Sequence, residues 1–373
     1  MHMKIKIDTK LLHKTMTALL KTVSAKNTLP ILDNVLLHVK NGVVTMTTYD
    51  TETAITAEIQ TLDVQGEASV AIPAKLLASL LSTLPAGEMT FEYESGQPSA
   101  KCSWDSGDSV FPAFNALDFP EIPEVKQDNE PARFTQKFLR SALTKTVSVT
   151  AKDGIRPALG CVFFQIREDG TTFVGSDSHT LVCVDSKVTG NSAFLLPAKS
   201  AATIKSMLED NGDAAIKADQ FNAVFEFSNY RVTARLCNSK YPAFRNVIPV
   251  NNPNRLEVKK KDFMAVLKRI MVCANSSSQM IVLKLSYNEV EVNAQDLAFS
   301  ISARENMSCE YDGEDMNIGF KGTALLQLLE NIESEDIEIR FLSSNKATLL
   351  QPTGKEADEE PVTAIIMPSV VAG

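Results

Sequence analysis

The sequence predicts an α+β fold of three similar domains in tandem, each with two helices packed on antiparallel sheets. Three observations carry this. One order of elements recurs three times along the 373 residues, each copy holds two amphipathic helical stretches, and the intervening segments alternate apolar and polar residues between turn signals. The clearest copy surrounds Val174-Gly-Ser-Asp-Ser-His-Thr-Leu181, which follows the turn signal Arg167-Glu-Asp-Gly170 and precedes a helix opening at Leu195-Leu-Pro-Ala-Lys199. Upstream the same order reads Lys40-Asn-Gly42, Thr48-Tyr-Asp50, Ile72-Pro-Ala-Lys75; downstream it reads Tyr287-Asn-Glu289, Ala294-Gln-Asp296, Ile318-Gly-Phe-Lys321. Asp50, Asp177 and Asp296 are 127 and 119 residues apart, and Lys75, Lys199 and Lys321 are 124 and 122 apart. Copies of this size set domains at 1–125, 126–250 and 251–373.

In the first copy, Leu12, Met16, Leu19, Leu20 and Val23 mark a helical face, and Val35, Leu37 and Val39 alternate as a strand into the Asn41-Gly42 turn. A second helix begins at Lys75, carries Leu76, Leu77, Leu80, Leu81 and Leu84, and stops at Pro85. The second copy gives a helix around Leu139, Leu143 and Val147, a strand with Val162, Phe164 and Ile166, and a helix with Ile204, Met207 and Leu208. The third gives Phe263, Val266, Leu267 and Ile270, then Ile281, Leu283 and Leu285, then Leu325, Leu328, Leu329 and Ile332. Stretches rich in Pro, Asn and acid, Pro120–Pro131 and Pro249–Asn254, read as linkers.

Composition is that of a globular chain able to bury cores, with 44% hydrophobic and 22% charged residues. No run of 18 apolar residues occurs, so no membrane helix is expected. The opening Met1-His-Met-Lys-Ile-Lys-Ile-Asp8 alternates like a strand, not a secretion signal, and the expected compartment is the cytoplasm. Cys102, Cys161, Cys183, Cys237, Cys273 and Cys309 lack C-x-x-C spacing and read as free, buried thiols.

The net charge of −9 conceals an uneven distribution. On a wheel of about 100° per residue, Lys10, Lys14 and Lys21 lie within about 40° of one another, opposite the apolar face. Lys137, Arg140 and Lys145 oppose Leu139, Leu143 and Val147; Lys261, Lys268 and Arg269 oppose Val266, Leu267 and Ile270. The second helices add Lys75, Lys199, Lys205 and Lys321, while the acidic excess falls on strands and loops. For one helix this is the ordinary solvated face. Repeated on every first helix of an acidic chain, it predicts a helical surface facing a polyanion through sequence-independent phosphate contacts.

Phosphate-loop, dinucleotide and hydrolase motifs are absent, and His2, His13, His38 and His179 show no metal spacing. No catalytic residue, metal or cofactor is expected. Ser176-Asp-Ser-His179 has the residue types of a nucleophile and base, but neighbours in a strand or turn point apart, and a turn or pocket edge is the better reading.

Thr28-Leu-Pro-Ile-Leu-Asp-Asn34, Ser176-Asp-Ser-His-Thr-Leu181, Lys240-Tyr-Pro-Ala-Phe-Arg-Asn-Val-Ile-Pro249 and Ala364-Ile-Ile-Met-Pro368, in this order and spacing, resemble the bacterial sliding clamps, the beta subunits of DNA polymerase III. The resemblance covers essentially the whole chain. It implies a DNA clamp fold, half of a closed ring. Two copies would join head to tail around double-stranded DNA, with helices lining the hole. The function implied is a non-catalytic processivity factor in DNA replication. It further implies that Lys26, Lys152 and Arg156 lie on loops near DNA.

An apolar pocket for short linear peptides of the replicative polymerase, clamp loader and repair factors is implied at Leu159, Ser176, Ser178, His179, Thr180, Leu181, Pro242, Asn246, Val247, Ile365, Met367, Pro368 and Ser369. This sequence departs from the family pattern at Ser178, where a glycine is usual, and at Thr180 and Asn246, where arginines are. Its end, Ser369-Val-Val-Ala-Gly373, replaces a Met-Arg-Leu-type tail. The dimer interface is placed at Val272 and Cys273 against Val110 and Phe111. Two other readings remain: a protein-interaction scaffold without nucleic acid, and a hydrolase or transferase using Asp177 and His179.

Overall fold

The computed structural model describes residues 2–24, 27, 29–126, 130–353 and 361–370. Lys26, expected near DNA, and the tail 371–373 lie outside the described residues. Six α-helices occur among the described residues, two per sequence repeat: α1 (Thr9–Leu19), α2 (Ala74–Thr83), α3 (Gln136–Ser148), α4 (Ala198–Lys205), α5 (Lys260–Met271) and α6 (Gly322–Asn331). The wheel reading of α1 is accurate: Leu12, Met16 and Leu19 are buried, and Asp8 caps the helix by accepting a hydrogen bond from the Leu11 amide at 2.9 Å. In α2 the expected leucine face is narrower. Leu77 and Leu81 are buried, but Leu76 is exposed, because the core side of this short helix is completed by Ala74 and Ala78.

The chain divides into two compact units, Met1–Arg140 with Ala202–Leu236, and Ser141–Ala201 with Cys237–Gly373. Unit 1 holds a five-stranded sheet in the order Asp63–Gly66, His2–Asp8, Glu88–Glu94, Ser99–Trp104, Gly107–Pro112. It also holds a nine-stranded sheet whose first five strands come from the first repeat and last four from the second. The junction is the antiparallel pair Thr53–Ile59 and Tyr230–Arg235, with Ile55 opposite Val232. Unit 2 repeats the device: Thr180–Ser186 of the second repeat pairs antiparallel with Val362–Ile366 of the third, with Leu181 opposite Ile365. A four-stranded sheet, Ile301–Ser308, Glu289–Asp296, Met280–Ser286 and Met316–Lys321, completes unit 2.

Compact units and sequence repeats therefore do not coincide. Backbone ladders are cut only at the cost of unsatisfied amides and carbonyls, so strands shared across a repeat boundary draw the boundary elsewhere.

Turn chemistry is repeated with the fold. Asn41 and Gly42, at φ +51° and +76°, form the two-residue loop between Lys40 and Val43 that an Asn-Gly pair favours. Gly175 has a different role. It lies in strand Gly170–Ser176, where a Cβ would collide with the Thr146 carbonyl of α3, so only glycine lets helix and sheet approach this closely.

Candidate functional site: an apolar cleft and a set of paired cations

The three repeat aspartates do the same local work. Asp50 Oδ1 accepts from the Glu52 and Thr53 amides at 3.1 and 2.7 Å; Asp177 Oδ1 accepts from the His179 and Thr180 amides at 2.9 and 2.6 Å; Asp296 Oδ1 accepts from the Ala298 amide at 3.0 Å. Asp177 also takes the Thr180 hydroxyl at 2.9 Å. Its Oδ1 is thus taken up by its own turn, the capping role the repeat aspartates share.

Ser176 is buried and donates its hydroxyl to the Thr180 carbonyl at 2.7 Å, while the Ser178 amide donates back to Ser176 Oγ at 3.1 Å. Ser178 itself sits at φ +77°, a left-handed conformation that costs a non-glycine residue about 1 kcal/mol or more. Arg156 Nη2 reaches Asp153 at 3.4 Å, within the same rim.

The expected pocket residues come together in unit 2. Leu159, Leu181 and Ile365 are buried in one cluster with Val174, Tyr241, Phe244 and Leu349. The Met367 amide donates to the His179 carbonyl at 2.8 Å, and the Ser369 amide to the Gly319 carbonyl at 2.8 Å, which ties the terminal segment beside the turn. Pro242, Asn246, Val247, His179 and Met367 are exposed around this cluster; Pro368 and Ser369 are half-buried, and Thr180 is buried. The sequence reading missed the floor. Tyr241 stacks on Phe163 with centroids 5.0 Å apart, and Phe244 meets both rings edge-on. Arg245 caps Phe244 at 5.1 Å from the ring centroid. The only signal for it was that both aromatics belong to the Lys240–Pro249 motif. Cavities of about 870 Å³ on a sheet face of unit 1 and about 440 Å³ on the four-stranded sheet are lined by none of the predicted residues.

Of the residues expected to face DNA, Lys10, Lys14, Lys21, Lys75, Lys137, Lys152, Arg156, Lys199, Lys268, Arg269 and Lys321 are exposed, and Arg140 and Lys205 are half-buried. Lys145 is a correction: it is 2% exposed, hydrogen-bonded to Ser141 Oγ at 2.6 Å and paired with Glu333 at 3.6 Å. The end of α6 covers it, because Gln327 donates to the Ser148 carbonyl and Asn331 to Ser148 Oγ. The exposed cations are not bare either. Lys14 pairs with Glu209 at 2.9 Å, Arg140 with Asp210, Lys268 with Glu330 at 3.7 Å, and Arg269 Nε with Glu305 at 2.9 Å. A hydrogen bond from Lys14 to Glu209 holds its ammonium above the usual lysine range. Arg156 is turned to the cleft by Ser178. Lys75 donates to the Ser24 carbonyl at 2.9 Å.

The expected interface residues divide. Val110 and Val272 are exposed at 60% and 83%, and Cys273 is half-buried. Phe111 is a correction at 1% exposed: strand alternation sends its ring into the core of unit 1 while Val110 points out. Leu297, Phe299 and Ile301 are also exposed at the turn beside Val272, where Asn275 Nδ2 donates to Asp296 Oδ2 at 3.1 Å.

Among the described residues no group of His, Cys, Asp and Glu is arranged to hold a metal, and no helix is long and apolar enough to cross a membrane. The six cysteines are free; burial pushes the Cys102, Cys161 and Cys183 thiols up to about 12. The fold instead defines the clamp class, in which tandem copies of a two-helix unit on antiparallel sheets present surfaces for contact.

Family models of the N-terminal, central and C-terminal domains of the DNA polymerase III beta subunit match residues 3–123, 133–243 and 245–369. The chain belongs to the DNA polymerase III beta-subunit family, the sliding clamps, which are non-catalytic processivity subunits of the replicative polymerase. It is 29% identical over 353 residues to the beta sliding clamp of Halalkalibacterium halodurans, covering 89% of this chain and 91% of that one. It is 26% identical over 371 residues to that of Synechococcus elongatus, covering 96% of each. The crystal structure of the Bacillus subtilis clamp superposes with a TM-score of 0.93 at 20% identity, over 100% of both chains. That of the Pseudomonas aeruginosa clamp bound to griselimycin gives 0.91 at 20% identity, again over 100% of both.

Proposed function

We propose that two copies of this chain close head to tail into a ring around duplex DNA and tether the replicative polymerase, the clamp loader and repair factors. The domains proposed are 1–125, 126–250 and 251–373, and the compartment is the cytoplasm. The observation that carries the reading is the recurrence of solvent-accessible cations on the first helix of each repeat, Lys14 and Lys268 exposed and Arg140 half-buried, each paired with an acid and not buried in a core. Such cations bind phosphates without reading bases, which suits a partner that must move along any sequence.

Ring closure is supported by two free sheet edges. Gly107–Pro112 ends the five-stranded sheet and Ile301–Ser308 ends the four-stranded one, each beside exposed apolar side chains, Val110 in one case and Val272, Leu297 and Phe299 in the other. Open edges seek strands, and an edge of one copy pairing with the other edge of its partner gives a head-to-tail contact that closes. Peptide docking is supported by the cleft around Leu159, Leu181 and Ile365, whose aliphatic and aromatic floor suits an apolar anchor side chain.

The deciding experiment loads the protein on nicked circular DNA at moderate salt and then linearises the circle. Retention on the circle with loss from the linear form supports threading. Equal retention means direct adhesion, and equal absence favours the scaffold reading. Griselimycin, carried by the Pseudomonas aeruginosa clamp structure, serves as probe of the cleft: Val247→Asp is expected to abolish its binding.

A further inference from the structure

We propose that Glu209 and Asp210 act as resident substitutes for DNA phosphates, occupying Lys14 and Arg140 in the free chain and exchanging with the duplex as it passes. The inference rests on the clamp reading and concerns how that surface holds DNA without stopping on it.

The two acids belong to unit 1 and lie in the segment 206–212 between α4 and strand Asp213–Ala218. Glu209 Oε1 receives Lys14 Nζ at 2.9 Å; Asp210 receives Arg140 Nη2, while Arg140 Nη1 donates to the Leu208 carbonyl at 3.3 Å. The position of the acids does not depend on the cations alone. The Glu209 amide donates to Gln136 Oε1 at 3.0 Å, and the Gln136 amide donates to the Gly212 carbonyl at 2.8 Å. Gln136 is itself 2% exposed and donates through Nε2 to Ser228 Oγ at 3.3 Å. A buried glutamine thus fixes the turn by its backbone, and the carboxylates project from a rigid base between two cations of different helices, α1 and α3.

The pairs remain open to water. Side chains of Lys14 and Glu209 are 69% and 51% exposed, and those of Arg140 and Asp210 are 37% and 73% exposed. Exposed pairs are weak and readily exchanged. A phosphodiester, like a carboxylate, spreads one negative charge over two oxygens that accept hydrogen bonds from Lys and Arg. Each cation therefore moves from one anion to another with little change in free energy, and no register of the duplex is strongly preferred. Without the acids, both cations would lose a competing anion and would hold the duplex more firmly. Lys268 with Glu330 and Arg269 with Glu305 repeat the arrangement in unit 2.

The test compares the parent with the E209Q/D210N variant, loaded on nicked circular duplex DNA, by single-molecule measurement of one-dimensional diffusion. Both substitutions keep shape and leave the Gln136 anchors intact. Loss of two exposed competing anions is expected to slow diffusion about two- to fivefold. In a K14A/R140A background the same acid substitutions are expected to change nothing. Unchanged diffusion of E209Q/D210N in the native background overturns the inference. So does equal slowing in the K14A/R140A background, which would mark a long-range field effect. A parent that is never retained on the circle overturns the clamp reading and this inference together; a retained parent with an unaltered variant overturns this inference alone.

Discussion

Arg156 Nη1 donates to Ser178 Oγ at 2.6 Å, so a guanidinium that sequence likeness assigns to DNA is held on the rim of the peptide cleft. Ser178 occupies φ +77° while making this contact. Ser178→Gly removes the contact but relieves the left-handed strain, and is expected to keep stability within about 1 kcal/mol of the parent. Ser178→Val, β-branched in the same conformation, is expected to lose about 1–3 kcal/mol. Denaturant unfolding of both variants checks the pair; equal losses would refute the strain argument.

Gly175→Ala places a methyl group against the Thr146 carbonyl. The helix must retreat from the sheet, at an expected loss of about 1–3 kcal/mol. Chemical denaturation reads the loss directly, and an unchanged midpoint with unchanged slope would show that α3 can shift freely.

Reversal of three surface cations, K14E/R140E/K268E, is expected to leave a folded chain, since all three are exposed or half-buried. Its loading onto nicked circular DNA should fall, because three phosphate contacts become repulsions, and what loading remains should depend less on salt than the parent's. Normal loading by a correctly folded triple variant would remove the basic helices from the DNA contact.

Val110→Glu and Val272→Glu each place a charge in the proposed contact between copies. Analytical ultracentrifugation is expected to report monomers for either variant and dimers for the parent. Alkylation of Cys273 by iodoacetamide should slow with rising parent concentration and become independent of concentration in the variants. A parent that sediments as a monomer would defeat the interface assignment.

Glu338 supplies a pH signature. Burial opposes its ionised form, but hydrogen bonds from Arg340 and Arg255 and the charges of both outweigh that and hold its carboxyl below the ordinary value of 4.5. A depressed folded pKa contributes stability that is complete above the unfolded pKa and fades as pH falls through the folded one. The gap in unfolding stability between parent and Glu338→Gln should therefore be largest above about pH 5 and shrink toward pH 3. A gap constant from pH 7 to pH 3 would show that the arginines contribute nothing through ionisation.

Much of the fold was legible because its signals are local. The Asn41-Gly42 loop, the repeat aspartates and the buried stripe of α1 are each set by residues within a few positions. The cleft was legible only through likeness to relatives, and its aromatic floor escaped notice because Tyr241 and Phe244 show no period of their own. The carboxylates that occupy the surface cations were not legible at all. Lys14 and Glu209 are 195 positions apart, and helical periodicity carries no information about what a distant turn brings alongside. Lys145 failed for the same reason: the wheel groups it with Lys137 and Arg140 away from the apolar face, but α6 arrives from the third repeat to cover it.

The strand pair Thr53–Ile59 and Tyr230–Arg235 has a practical meaning for anyone dividing this chain. A fragment ended at the first sequence boundary would carry a bare, seven-residue border where Thr53–Ile59 loses its neighbour, and such borders recruit whatever strand is nearest. A repeat boundary legible in the sequence is therefore not the place to cut the chain, because the sheet it crosses belongs to both sides.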